Sequence, residues 1–284
     1  MGIEAAFGAK DQVITAYRCH GFALMRGGTV RSILAELLGK KTGVAQGKGG
    51  SMHMFAERFF GGNGIVGAQV PIGAGLAFAQ KYIAEQSTNK SSFSNDTTNE
   101  HGGLSLALYG DGAANQGQVY EAFNMAALWK LPCVFICENN KYSMGTSVER
   151  SSANRVFYTR GDPIPGLKVN AMDILAVKQS IKFAQRWTRE GRGPLVMEYD
   201  TYRYHGHSMS DPGTTYRTRQ EISDVRTNRD PIKLLAAQML KAGVDQAQLD
   251  AIEERAKAQV EAEAEQALSD PLPTVEKDLW TDIY

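Results

Sequence analysis

The chain has 284 residues, 43% hydrophobic and 22% charged, with a formal net charge of zero. That size and balance describe a globular protein with a sizeable core, and the neutral charge offers no attraction for nucleic acid or an anionic membrane. Three cysteines, Cys19, Cys133 and Cys137, make neither a disulfide framework nor a metal cluster, and no apolar run reaches the length of a membrane span.

At the amino terminus no targeting segment is visible. Glu4 and Asp11 oppose an Arg-rich, acid-poor transit peptide, and Ala6 stands where a myristoylation motif needs Ser or Thr. Residues 11–26 begin with a short strand-like run that ends in Tyr17, Arg18 and His20. Thr29 to Leu38 is predicted as an amphipathic helix with Val30, Ile33, Leu34 and Leu37 on one face and Gly39 as its stop. Residues 43–75 are rich in glycine, yet Met52, Met54, Phe55, Phe59 and Phe60 are too apolar for a solvated linker. A packed loop whose backbone can approach a ligand is expected there. Helical spacing resumes from Val70 to Ala84, with Gly73 and Gly75 expected to allow close packing. Gln86 to Gly103 is polar and aperiodic, a surface loop in which His101 has no assigned role.

The most informative stretch runs from Leu106 to Met144. An apolar run stops at Gly110-Asp111-Gly112, a helical pattern covers Gln116 to Trp129, and a second apolar run stops at Glu138-Asn139-Asn140. Glycines at a strand end let backbone approach a ligand, and the helix that follows presents unpaired N–H groups suited to a phosphate. A carboxylate beside a phosphate needs a cation between them. Asp111 and, about thirty residues on, the amide oxygen of Asn140 are the oxygen donors that suit magnesium. A further helix from about Asp173 to Arg189 precedes a third apolar run, Gly193 to Tyr202. Alternating strands and helices predict an α/β fold, a mostly parallel sheet flanked by helices, with its ligand beyond the carboxyl ends of the strands. A polar loop with aromatic and basic residues, 203–219, follows as a candidate lid. Asp230-Pro231 opens a helical tail in which Ile232, Leu234, Leu235 and Met239 are expected to pack inward, and Gln246 to Ala267 is a charged helix. The expected organisation is an α/β domain over 1–229, with its insertion near 86–103, and a helical extension over 230–284.

Gly-Asp-Gly followed at this spacing by Asn-Asn resembles the thiamine diphosphate signature. With Thr15 to Arg18, Gly47 to Met54, Gly61 to Pro71, Gly110 to Trp129 and Tyr202 to Pro212, nearly the whole chain resembles alpha subunits of thiamine diphosphate-dependent 2-oxoacid dehydrogenases. Arg203-Tyr204-His205-Gly206-His207-Ser208-Met209-Ser210-Asp211-Pro212 is similar to the pyruvate (acetyl-transferring) branch in particular; a branched-chain 2-oxoacid or acetoin enzyme and a truncated non-catalytic chain are the alternatives.

The resemblance implies a thiamine diphosphate-binding fold with magnesium held by Asp111, Asn140 and the backbone carbonyl of Tyr142. It implies that Tyr17 and Arg18 reach the diphosphate, and that Ala56, Gly64, Val66, Gly112 and Ala113 line the cofactor, Val66 toward the aminopyrimidine. His207 matches a catalytic-loop histidine near the diphosphate, and Ser208 and Ser147 match phosphorylation positions; Thr215 stands where a second loop serine is common. The implied reaction is oxidative decarboxylation of pyruvate with reductive acetylation of a lipoyl group. Implied partners are a beta subunit in an α2β2 heterotetramer, which supplies the activating glutamate, a lipoyl-bearing acetyltransferase, and a regulatory kinase and phosphatase, all in the mitochondrial matrix. A preceding helical segment with a substrate-facing histidine, and a further tail, are expected outside this stretch.

Overall fold

The two apolar runs that stop at Gly110 and Asn139 form adjacent parallel strands. The computed structural model describes residues 1–90 and 102–281. In chain order the elements are β1 (Gln12–Ala16), α1 (His20–Met25), α2 (Val30–Leu37), β2 (Phe59–Asn63), α3 (Gln69–Lys90), β3 (Ser105–Gly110), α4 (Gly117–Leu128) and β4 (Cys133–Asn139). The short pair β5 (Tyr142–Ser143) and β6 (Thr146–Ser147) comes next, then α5 (Val148–Ser151), β7 (Gly166–Asn170), α6 (Ile174–Arg189) and β8 (Leu195–Asp200). Four helices close the chain: α7 (Arg219–Asn228), α8 (Pro231–Lys241), α9 (Gln246–Ser269) and α10 (Val275–Asp278).

Contacts group these residues into two units, Met1–Ile14 with Val66–Ala237, and Thr15–Ile65 with Gln238–Tyr284. Residues 15–65 thus group with residues 238–284.

The first unit holds five strands in the order β1-β3-β4-β8-β7, every neighbouring pair parallel. Gly110 lies beside Glu138, and Glu138 beside Tyr199, so β3, β4 and β8 end level with one another. Alternation puts Ala107, Tyr109, Cys133, Phe135 and Cys137 into one cluster with Val70, Ala74 and Ala77 of α3 and Val119, Phe123 and Ala126 of α4. The opposite strand face, with Leu106, Leu108, Val134 and Ile136, is buried as well, the pattern of a parallel sheet covered on both sides. Both sheet cysteines are buried thiols whose pKa burial pushes up, in keeping with a packing role. A Cβ on Gly73 would sit 2.5 Å from the Ala107 Cβ, so α3 rides directly on β3; Gly75 faces open space and has no such role. Asp173 caps α6 by accepting from the N–H groups of Leu175 and Ala176, at 2.9 and 3.1 Å.

Three expectations need correction. Gln86 to Lys90 continue α3, because a helix already nucleated propagates without an apolar face; the rest of that insertion, 91–101 with His101, lies outside the described residues. In α8, Leu235 and Met239 are half-buried, but Ile232 is 74% exposed in the first turn, and Leu234, about 100° round the helix from Leu235, is also exposed. In α2 the buried residues are Ile33, Ala35 and Glu36, while Leu37 is exposed.

The second unit holds α1, α2, β2, α9 and α10. Helix α2 starts in a capping box between Thr29 and Ser32 and packs on α9. The glycine-rich loop folds around one side chain. The fully buried carboxylate of Glu36 accepts from the N–H groups of Ala45, Gly47, Gly49 and Gly50 at 2.7–3.0 Å. The tail is held by charge, since Asp270 accepts from Arg31 and Thr42, and Lys41 Nζ lies 2.6 Å from Asp278.

Candidate active site

Strand β3 delivers Asp111 to the end of the sheet just where β4 delivers Asn139 and Asn140. Asp111 is only 3% exposed. Its Oδ1 accepts from the Gly112 N–H at 2.8 Å, and its Oδ2 is buried without a hydrogen-bond partner among the described residues. Burial pushes its pKa up, against the Gly112 N–H and the charges of Arg203 and Lys141. A buried, half-satisfied carboxylate is costly unless a cation completes it. The glycine beside it is required by contact, because a Cβ on Gly112 would collide with the Ser143 hydroxyl.

The paired asparagines divide the work. Asn139 is buried and structural: its Nδ2 donates to Glu198 Oε1 at 2.9 Å, and its Oδ1 accepts from the Lys141 N–H at 3.1 Å. Glu198, itself 2% exposed, uses its other oxygen to accept from the Phe157 N–H. Lys141 adopts a left-handed conformation, φ 74°, and turns the chain. The Asn140 amide oxygen and the Tyr142 carbonyl then face one guanidinium, that of Arg203, at 3.3 and 3.0 Å. The same positive group acts on Asp111.

Carboxylate, amide oxygen and peptide carbonyl therefore collect around positive charge. Among the described residues no three His, Cys, Asp or Glu side chains gather at one point, so a metal here rests on a mixed oxygen set, which fits Mg²⁺ better than Zn²⁺. Next to it, a 3-10 turn at Ala113–Asn115 leads into the amino terminus of α4, where the positive helix end favours an anion.

Beyond β8 the loop folds on itself. Asp211 accepts from the N–H groups of His207 and Gly213 and from the Tyr216 hydroxyl, with the Tyr216 bond first in holding its pKa down to about 2. Arg217, 3% exposed, donates to the carbonyls of Arg203 and His205 and lies over the rings of Tyr216 and Tyr202 at 5.2 and 5.3 Å. Ser208 is exposed, its hydroxyl 3.0 Å from that of Ser210, and His207 is half-buried. Ser147 pairs with Tyr142 across β5 and β6.

The family model described as dehydrogenase E1 component matches residues 1–276. The chain belongs to that family. Among curated relatives it is similar to the pyruvate dehydrogenase E1 component subunit alpha, mitochondrial, of Chaetomium thermophilum, 57% identical over 100% of this chain and 66% of the relative. It is 54% identical to the protein of that name in Dictyostelium discoideum, again over all of this chain and 71% of the relative. The somatic form of the human mitochondrial subunit is also 54% identical, over 69% of its length. The chain spans about two thirds of the length of the curated relatives it matches.

The dehydrogenase E1 component family is thiamine diphosphate-dependent, and the residues at the sheet end fit that cofactor's charged tail. In the first unit Asp111, Asn140 and Tyr142 gather around Arg203, with Gly112 and the buried Ala113 alongside; Val66 and His207 belong to the same unit. Tyr17, Arg18, Ala56 and Gly64 belong to the second. There Tyr17 and Arg18 directly follow β1, Ala56 bridges to Phe59, and Gly64 lies against the His53 ring. Sequence reasoning missed Arg203, Arg217, Asp211 and Glu198, whose roles come from loop and tertiary geometry, and it missed Glu36. That glutamate had a local signal, an acidic residue three positions after Ile33 on a helix face meant for the core.

Proposed function

We propose that this chain is an alpha subunit of a thiamine diphosphate- and magnesium-dependent pyruvate dehydrogenase, which decarboxylates pyruvate oxidatively and passes the acetyl group to a lipoyl arm, giving acetyl-CoA in the full complex. The observation that carries the reading is the orphaned, buried Asp111 Oδ2 beside the oxygens of Asn140 and Tyr142 at the end of a parallel sheet. The names of the relatives, each a mitochondrial pyruvate dehydrogenase alpha subunit, support the substrate and a mitochondrial matrix location.

In this reading Asp111, Asn140 and the Tyr142 carbonyl hold magnesium, and Gly112, Ala113, Tyr17 and Arg18 serve the diphosphate. Val66, Gly64 and Ala56 line the ring portion. When bound, thiamine diphosphate supplies the electron sink for decarboxylation. The chain's own residues supply position and charge. A beta subunit supplies the acidic group that activates the ring, and the active form is an α2β2 heterotetramer served by a lipoyl-bearing acetyltransferase. His207 shapes the approach to the diphosphate. A phosphate placed on Ser208 by a kinase, and removed by a phosphatase, adds roughly two negative charges next to His207, which disfavours the folded loop near a diphosphate; Ser147, paired with Tyr142, is a second such position.

Reconstitution tests the reading. Pyruvate-dependent acetylation of a lipoyl domain should require this chain, a beta subunit, thiamine diphosphate and Mg²⁺ together. Turnover by the isolated chain, or a preference for branched-chain 2-oxoacids over pyruvate, contradicts it.

A further inference from the structure

The peptide unit between Val66 and Gly67, in the first unit, is held by glutamine side chains at both of its polar groups. The Val66 carbonyl accepts from Gln116 Nε2 at 2.7 Å, and the Gly67 N–H donates to Gln69 Oε1 at 3.1 Å. Gln69 is fully buried, and its Nε2 donates in turn to the carbonyl of Leu108, on the strand that ends just before Asp111. Gln116 stands at the N-cap position of α4, yet its side chain makes no capping bond and reaches Val66 instead. The approach needs glycine. Gly67 has φ 95°, and a Cβ there would crowd the side chains of Gln118 and Gln116 at 3.1–3.2 Å. Val66 itself is 44% exposed and is not among the residues of the hydrophobic cluster.

We infer that Gln116, braced by Gln69, is a positioning residue that fixes the distance between the Asp111 end of the site and Val66, so that the site is matched to a diphosphate carrying a ring of set reach. This rests on the assignment of Val66 to the ring portion of thiamine diphosphate. Both glutamines tie the 66–67 peptide to the segment that bears Asp111: one to β3 before it, the other to α4 after it. A guest held only by its diphosphate does not sense this tie; a guest held at both ends does.

The test compares two probes on the chain co-purified with its beta subunit, each with Mg²⁺: thiamine diphosphate and inorganic pyrophosphate. Gln116→Met keeps the length without a donor, and Gln116→Leu removes the donor with a shorter, uncharged side chain. Gln116 is exposed, so both variants should melt like the parent. Each should weaken thiamine diphosphate binding about tenfold, by calorimetry or tryptophan fluorescence, with pyrophosphate affinity unchanged; the figure is the low end of the loss typical of an outer-shell partner. An equal loss for both probes shows a general structural role and overturns the inference. So does unchanged thiamine diphosphate affinity. Failure of the unsubstituted assembly to bind thiamine diphosphate at all instead overturns the functional reading.

Discussion

Two aspartates with the same intrinsic acidity are driven in opposite directions by their surroundings. Asp111 is buried and only half hydrogen-bonded, so its carboxylate is pushed toward protonation until positive charge arrives. Asp270 accepts from Arg31 and Thr42, and the Arg31 hydrogen bond chiefly holds its pKa down to about 2. The unfolded value is about 3.9, so the folded chain binds fewer protons between the two. The Asp270 contribution to stability is therefore complete above about pH 4 and lost as the pH falls through about 2. Melting Asp270→Asn beside the parent at a series of pH values should show a less stable variant near neutrality, with the difference shrinking toward pH 2. A gap that stays constant into acid would show that Asp270 contributes through its shape and not its charge. At this scale Asp111 and Asn140 were legible because a glycine-flanked carboxylate and a pair of asparagines, both placed where apolar strands stop, are poor at packing and good at holding a ligand. Arg203 was not, since an arginine sixty-odd residues away carries no mark of its destination.

Elements with a clear period were legible almost to their ends. Strands β3, β4 and β8 read as apolar runs, and α6 carried both its apolar stripe and its Asp173 cap. Those without a period were not. Helix α7 buries none of its residues, and β5 and β6 have two residues each. Strand β7, at the edge of the sheet, has only Val169 fully buried among its five residues. The glycine-rich loop of the second unit lies between these cases, because composition foretold close backbone approach but not its centre, Glu36. Four backbone donors converge on that carboxylate, and removing it leaves them to find water or remain unpaired. Glu36→Ala should lower stability by roughly 2–3 kcal/mol and open residues 43–50 to hydrogen exchange. Unchanged exchange in that loop would mean the glycines hold their own conformation.

For the whole molecule, sheet and loops contribute a set of oxygens and an anion-favouring helix end. On the proposed reading the chain supplies half of a site; its relatives are named as alpha subunits. Each role proposed at the sheet end depends on a cation beside Asp111. The decisive measurement is a titration of thiamine diphosphate into the chain co-purified with its beta subunit, with Mg²⁺ and with excess EDTA, for the parent and for Asp111→Asn. Tight binding by the parent with Mg²⁺ only is expected, and a loss in Asp111→Asn greater than the roughly 10–100-fold typical of an outer-shell substitution. Equal binding by parent and variant, or binding indifferent to EDTA, would contradict the proposed metal site.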